Sequence, residues 1–150
     1  MTFNIPRYQY SSSDMAQIVE LPLRKVLSFI ERGYITPSVQ EASGHGSKRL
    51  WDDKDLVRCA AIKVASSHLL AKSIRILATP LSVAKNIQDN CFWLIAPDSL
   101  IDPVILWVEP DENIFSKLSS SFIQLPFYFC LDFRILNRQI GGRLEAEGWP

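Results

Sequence analysis

"GHGSKRLWDDKDL", residues Gly44 to Leu56, decides how this chain is read. Two glycines flank a histidine, two cations follow, and an aromatic precedes carboxylates that open an apolar stretch. Three readings compete: a glycine-rich phosphate cradle, a metal loop, or the tip of a basic hairpin. The cradle fails because the G-x-x-x-x-G-K-[ST] pattern is absent and no helix is expected directly after Gly46. The metal loop fails for want of ligands, since His45 has no second His or Cys near it. The hairpin survives. "YITPSVQ", residues 34–40, has strand character, "KRLW", residues 48–51, supplies the return strand, and Glu41–Ser47 is the loop between them. Trp51 would close this hairpin against neighbouring helices, exposing His45, Lys48 and Arg49. Asp52, with Asp55 three residues on, then starts a helix through Leu56, Ala60 and Val64.

Upstream, "YSSSDMAQIV" places Ser11 three residues before Asp14, the spacing of a capping box. Met15, Ala16, Ile18 and Val19 follow as a compact apolar face. That helix must stop near Glu20–Leu21, because Pro22 disfavours helical geometry at the residue before it. Pro22 suits the first turn of a second helix, where the N–H it lacks would have no partner. In "PLRKVLSFIERGY", Leu23, Val26, Leu27 and Ile30 recur at helical spacing, Phe29 widens the stripe, and Gly33 is a natural stop. Arg24, Lys25 and Ser28 lie off that stripe. Two short helices joined by a tight turn, the second carrying cations on its outer side, describe a helix-turn-helix, and the hairpin after it describes a wing.

The order of these features resembles the MerR (mercury-resistance-regulator) family of winged helix-turn-helix transcription regulators. The resemblance covers Tyr10 to about Leu77, through "SSDMAQIV", "LPLRKVLSFIERGYITPS", "GSKRLWDDKDL" and "HLLAKSIRIL". It implies that residues 22–32 form the recognition helix, and that Arg49, two residues before Trp51, belongs to the return of the wing. Two departures stand out. The family's central Arg–Tyr–Tyr-like run is replaced by Leu27, Ser28 and Phe29, so no phosphate contact carries over to Leu27. The family's long dimerisation helix is absent, since Pro80 interrupts the chain and Leu81–Asn90 allows only about three turns at 3.6 residues each.

The totals fit this division. The chain has 150 residues, 47% of them hydrophobic and 21% charged, the composition of a folded globular protein rather than a disordered tail. Its net charge of zero hides an asymmetry: residues 1–80 carry 11 Lys and Arg against 7 Asp and Glu, residues 81–150 carry 5 against 9. A basic front and an acidic back suggest a polyanion-binding module joined to a partner or effector module. No apolar run approaches the roughly 18 residues of a membrane span, and no signal segment opens the chain, so a cytoplasmic location is expected. Cys59, Cys91 and Cys130 are widely spaced in apolar surroundings and read as buried free thiols. No metal or cofactor is expected.

Beyond Cys91 the pattern changes. "CFWLIA" and "PVILWV" are short apolar runs, with turn chemistry from Asp98 to Pro103 between them. Pro110–Asp111 opens a short helix through Leu118. "FYFCL" is a third, fully apolar and therefore central strand. Asp132 caps a final helix in which Phe133, Leu136, Ile140 and Leu144 share the face that covers the sheet. Gly141 and Gly142 weaken that helix, which a close approach by a neighbour would explain. Asp98, Asp102, Asp111 and Glu112 lack a His or a Ser–base pair and read as solvated loop carboxylates, so no enzyme is expected. Phe92, Trp93, Trp107, Phe127, Tyr128 and Phe129 read as core or a dimer face, with a ligand pocket as the alternative.

The expected fold class is thus α+β, an N-terminal winged helix-turn-helix (residues 1–80) followed by a small C-terminal α/β unit (residues 81–150) for dimerisation or an effector. The expected function is that of a bacterial, sequence-specific DNA-binding transcriptional regulator, working as a homodimer on double-stranded DNA. Arg24, Lys25 and Ser28 would meet the major groove, and His45, Lys48 and Arg49 the flanking phosphates, from a wing spanning residues 38–51. The partner of the C-terminal half would be a second copy, a protein or a small-molecule effector. Two alternatives remain: a winged protein-interaction module that does not read DNA, and a phage excisionase-like architectural protein.

Overall fold

Reciprocal capping starts two of the helices, as the spacing of their carboxylates predicts. In α1 (Ser12–Val19) the Ser11 hydroxyl accepts from the Asp14 N–H at 3.1 Å, and the Asp14 carboxylate accepts from the Ser11 N–H at 3.0 Å. The same exchange between Asp52 and Asp55, at 2.9 and 3.1 Å, opens α3 (Asp53–Ser66). Between them lies α2 (Leu23–Glu31), entered through Pro22 in extended geometry (φ −59°, ψ 141°). The computed structural model describes residues 9–39, 48–69, 71–83, 92–96, 104–108, 112–113, 116 and 129–149.

Among those residues the protein is mostly helical. Beyond α3 come α4 (Ala71–Val83), the strands β1 (Phe92–Ala96), β2 (Val104–Val108) and β3 (Phe129–Asp132), and α5 (Phe133–Ala146). The strands form one antiparallel sheet in the order β2–β1–β3. Trp93 faces Trp107 across one ladder and Leu131 across the other. The central strand is therefore β1, and β3 lies at an edge, against expectation. An apolar run marks burial and says nothing about which neighbours supply it.

Three helices end in one way. The N–H of Leu21 reaches back to the Ala16 carbonyl (2.9 Å), that of Tyr34 to Phe29 (2.9 Å) and that of Trp149 to Leu144 (2.8 Å). Each long bond closes over a residue in the left-handed region: Glu20 at φ 60°, Gly33 at φ 74° and Gly148 at φ 74°. This is the Schellman ending, which satisfies carbonyls the helix leaves over and turns the next side chain inward. That next residue is apolar every time. Tyr34 is buried, and Leu21 and Trp149 pack partly buried against the core.

The apolar face of α1 buries Met15, Ala16, Ile18 and Val19, all as expected. In α2 the helix is rotated from the expected stripe: Val26 and Phe29 are buried, whereas Leu23 (42%) and Leu27 (37%) are exposed. The apolar positions allow two faces, and packing the larger Phe29 ring takes precedence. Pro80 also departs from expectation, lying inside α4 rather than ending it. Its missing N–H costs one helical bond, while Leu77, Ala78 and Leu81 around it are all buried, and that burial carries the helix through. Residue 80, the expected boundary, thus falls within an element.

Phe133, Leu136 and Ile140 of α5 belong to the same core as Met15, Trp51, Leu56 and Leu77. The helix packs on α3 and α1 as well as on β1, so its apolar face is not reserved for the sheet. Gly141 and Gly142 face open space, with nothing within 4 Å of a Cβ at either, so no close approach accounts for them. Cys59 is buried, as expected; Cys130, on the edge strand, is exposed. The expected helix at 110–118 falls mostly outside the described residues, as does Cys91.

Candidate functional site

The sequence points to α2 and the segment before Trp51, and the surrounding packing fixes both. α1 hands the chain to α2 through the turn Glu20–Leu21–Pro22, and the two helices pack together. The Pro22 carbonyl accepts from the N–H groups of Lys25 (2.9 Å) and Val26 (3.3 Å), which seats the first turn. The inner face of α2 is held by Val26 and Phe29, leaving Leu23, Arg24, Lys25 and Leu27 in solvent and Ser28 half-buried at the margin. The Lys25 ammonium lies 5.8 Å from the centre of the Phe29 ring, close enough for a cation–π attraction that restrains it. The Tyr34 ring lies tilted against Phe29, their centres 6.1 Å apart.

Tyr34 and Ile35 are consecutive and both buried, which a strand with alternating faces does not allow. Residues 34–39 are accordingly irregular, correcting the expected outgoing strand. What orders this stretch is Asp55. Its carboxylate is buried and accepts four hydrogen bonds, from the Ser38 N–H (3.0 Å), the Ser38 hydroxyl (2.7 Å), the Asp52 N–H (3.1 Å) and Arg58 Nη1 (3.0 Å). Arg58 Nε in turn donates to the Leu81 carbonyl at 2.8 Å. One side chain ties the segment after α2 to the start of α3 and, through Arg58, to the end of α4. A charge removed from water needs this degree of satisfaction.

The return segment ends on Trp51, fully buried as expected. Its backbone pairs antiparallel with Tyr10 through bonds of 2.8 and 2.9 Å, and its indole N–H donates to the Ser12 hydroxyl at 3.0 Å. Tyr10 adds a hydroxyl bond to Asp53 (2.9 Å) and an edge-on contact with Trp149 at 5.5 Å. Lys48 is exposed and Arg49 half-buried just ahead of this anchor. His45 and the rest of the expected hairpin tip, residues 40–47, lie outside the described residues.

The described carboxylate that is most buried, Asp55, has its oxygens occupied by donors. Burial pushes the Cys59 thiol up to about 12, so it stays protonated and unreactive, Lys63 offsetting a little and Asp55 adding to the rise. Among the described residues no three His, Cys, Asp or Glu side chains are grouped to hold a metal, and no helix is long and apolar enough to cross a membrane. Sequence reasoning missed the exposure of Leu23 and Leu27. The available signal was that Phe29 and Val26 define a competing stripe without them.

No family model matches the chain, and no curated protein is significantly similar to it.

Proposed function

We propose that the chain is a sequence-specific, DNA-binding transcriptional regulator of the winged helix-turn-helix type that the MerR resemblance implies, acting as a homodimer on double-stranded DNA. The observation that carries this reading is the outer face of α2. It presents Arg24 and Lys25 to solvent on a helix whose inner face is packed and whose C-terminal end is closed by the N–H groups of Gly33 and Tyr34 bonding back to Ile30 and Phe29. Arg in the major groove pairs with guanine edges, Lys takes guanine or phosphate, and a rigid helix supplies the register. Lys48 and Arg49, ahead of the Trp51 anchor, then serve as phosphate contacts.

Fluorescence anisotropy with labelled random-sequence duplex, repeated across salt concentrations, tests it. Affinity should fall steeply with salt, and Arg24→Ala, Lys25→Ala and Arg49→Ala should each reduce the log–log slope by about one. No duplex binding at low salt would sink the proposal.

One observation favours a second reading. Leu23 and Leu27 are exposed one helical turn apart on that outer face, the arrangement by which a helix docks into a protein groove. A chain that ignores duplex at every salt concentration, yet loses self-association on Leu27→Asp, belongs to this class of protein-interaction module.

A further inference from the structure

A cleft of about 630 Å3 opens where α1, α3 and α5 meet, within the roughly 300–1,000 Å3 of small-molecule pockets. Its floor is apolar, with Ile18, Val64, Leu136 and Ile140 contributed by all three helices. Its rim carries Lys63, Arg138 and Arg143 against the single carboxylate of Glu20. Those cations are not fully engaged. Arg138 is exposed and makes no hydrogen bond or ion pair among the described residues. Arg143 pairs with Glu20 and with Glu147, yet its Nε is buried and lacks a hydrogen-bond partner. Lys63 lends one of its three N–H groups to the Val19 carbonyl at 2.9 Å. Gly142 stands on the wall, and a Cβ there would meet nothing within 4 Å. The glycine leaves the cleft open where any other residue would project.

We propose that this cleft binds an amphipathic organic monoanion of the medium-chain carboxylate class. The apolar body would cover the floor and release its water, and the carboxylate would sit among Arg138, Arg143 and Lys63, where guanidinium groups offer paired donors matched to two oxygens. The rim's excess of positive charge selects an anion over a neutral or cationic compound of equal size. The proposal stands apart from DNA binding, because it rests on α1, α3 and α5 rather than on the outer face of α2, and is read without nucleic acid.

Isothermal titration of the full chain with decanoate, 1-decanol and decyltrimethylammonium tests it. Decanoate should bind saturably, and at least about tenfold more tightly than either of the others. Gly142→Leu should leave the thermal midpoint unchanged or higher, since glycine is a poor helix former, while weakening decanoate about tenfold or more. Arg138→Glu, a change at an exposed position, should weaken decanoate by about tenfold and leave 1-decanol as it was; it decides the matter if Gly142→Leu does not fold. Absent binding, equal affinity for decanoate and 1-decanol, or affinity indifferent to both substitutions would overturn the proposal. Decanoate affinity that falls in step with self-association would also overturn it, by showing that a second copy of the chain fills the cleft.

Discussion

Asp132 ends β3 and caps α5, its Oδ1 accepting from the Arg134 backbone N–H and Nε, both at 3.0 Å, and its Oδ2 from Nη2 at 2.8 Å. The Arg134 side chain, aided by two backbone N–H groups at the helix start, holds this carboxyl below its usual 3.8 despite partial burial. A carboxyl lowered in the folded state stabilises it fully above the unfolded value, and that contribution is lost as pH falls through the folded one. Asp132→Asn should therefore lower the thermal midpoint at neutral pH. The gap to the unsubstituted chain should close once the pH drops below the ordinary carboxylate range. A gap that stays constant across that range would mean the charge contributes nothing. The capping role was legible from the sequence, since Asp before an apolar-periodic run is a local signal. The four-bond role of Asp55 was only half legible. Its exchange with Asp52 is written in the three-residue spacing, whereas Ser38 lies 17 residues away and reaches it through the tertiary fold.

Helix starts and stops obeyed local chemistry: Ser11, Gly33, Asp52 and Asp132 act where the sequence places them, while Pro22 sits just ahead of the first turn, as the N-cap, rather than in it. What local chemistry could not supply was the outcome of competition. Residues 34–39 have strand-forming types, but Tyr34 and Ile35 are both drawn into the core. Pro80 is a helix breaker whose neighbours bury enough to overrule it. β3 is apolar up to its closing Asp132 yet lies at the sheet edge, because strand order depends on partners distant in sequence. In the candidate site, the exposure of Arg24 and Lys25 could be read from periodicity, while the rotation that exposes Leu23 and Leu27 could not. The glycines of α5 give an element-scale test. Gly141 is exposed, helical and free of neighbours, so Gly141→Ala should stabilise the chain by up to about 1 kcal/mol. Urea denaturation reads this directly, and a destabilised variant would show that the backbone there needs glycine.

At the scale of the whole molecule, a division at residue 80 is written in charge and composition but not in the core. Arg143 of α5 donates to the Gln17 carbonyl at 3.4 Å across 126 residues of chain, and Phe133, Leu136 and Ile140 share the apolar interior with α1 and α3. Charge reports on surface, where halves can differ freely, and is blind to which faces meet inside. A chain ending at Val83 should accordingly lose stability and bind 1-anilinonaphthalene-8-sulfonate, because the flank of α1 and α3 that α5 covers would be bare. A truncated chain as stable as the full one, and as inert to the dye, would show that α5 is dispensable.

The same contact sets an order of events during synthesis. α1 and α3 leave the ribosome well before α5 exists, and no folding of the first helices can cover their outer flank. The nascent front half must wait with that apolar surface uncovered, and it is in this interval, before α5 emerges, that the exposed flank carries its greatest risk of aggregation.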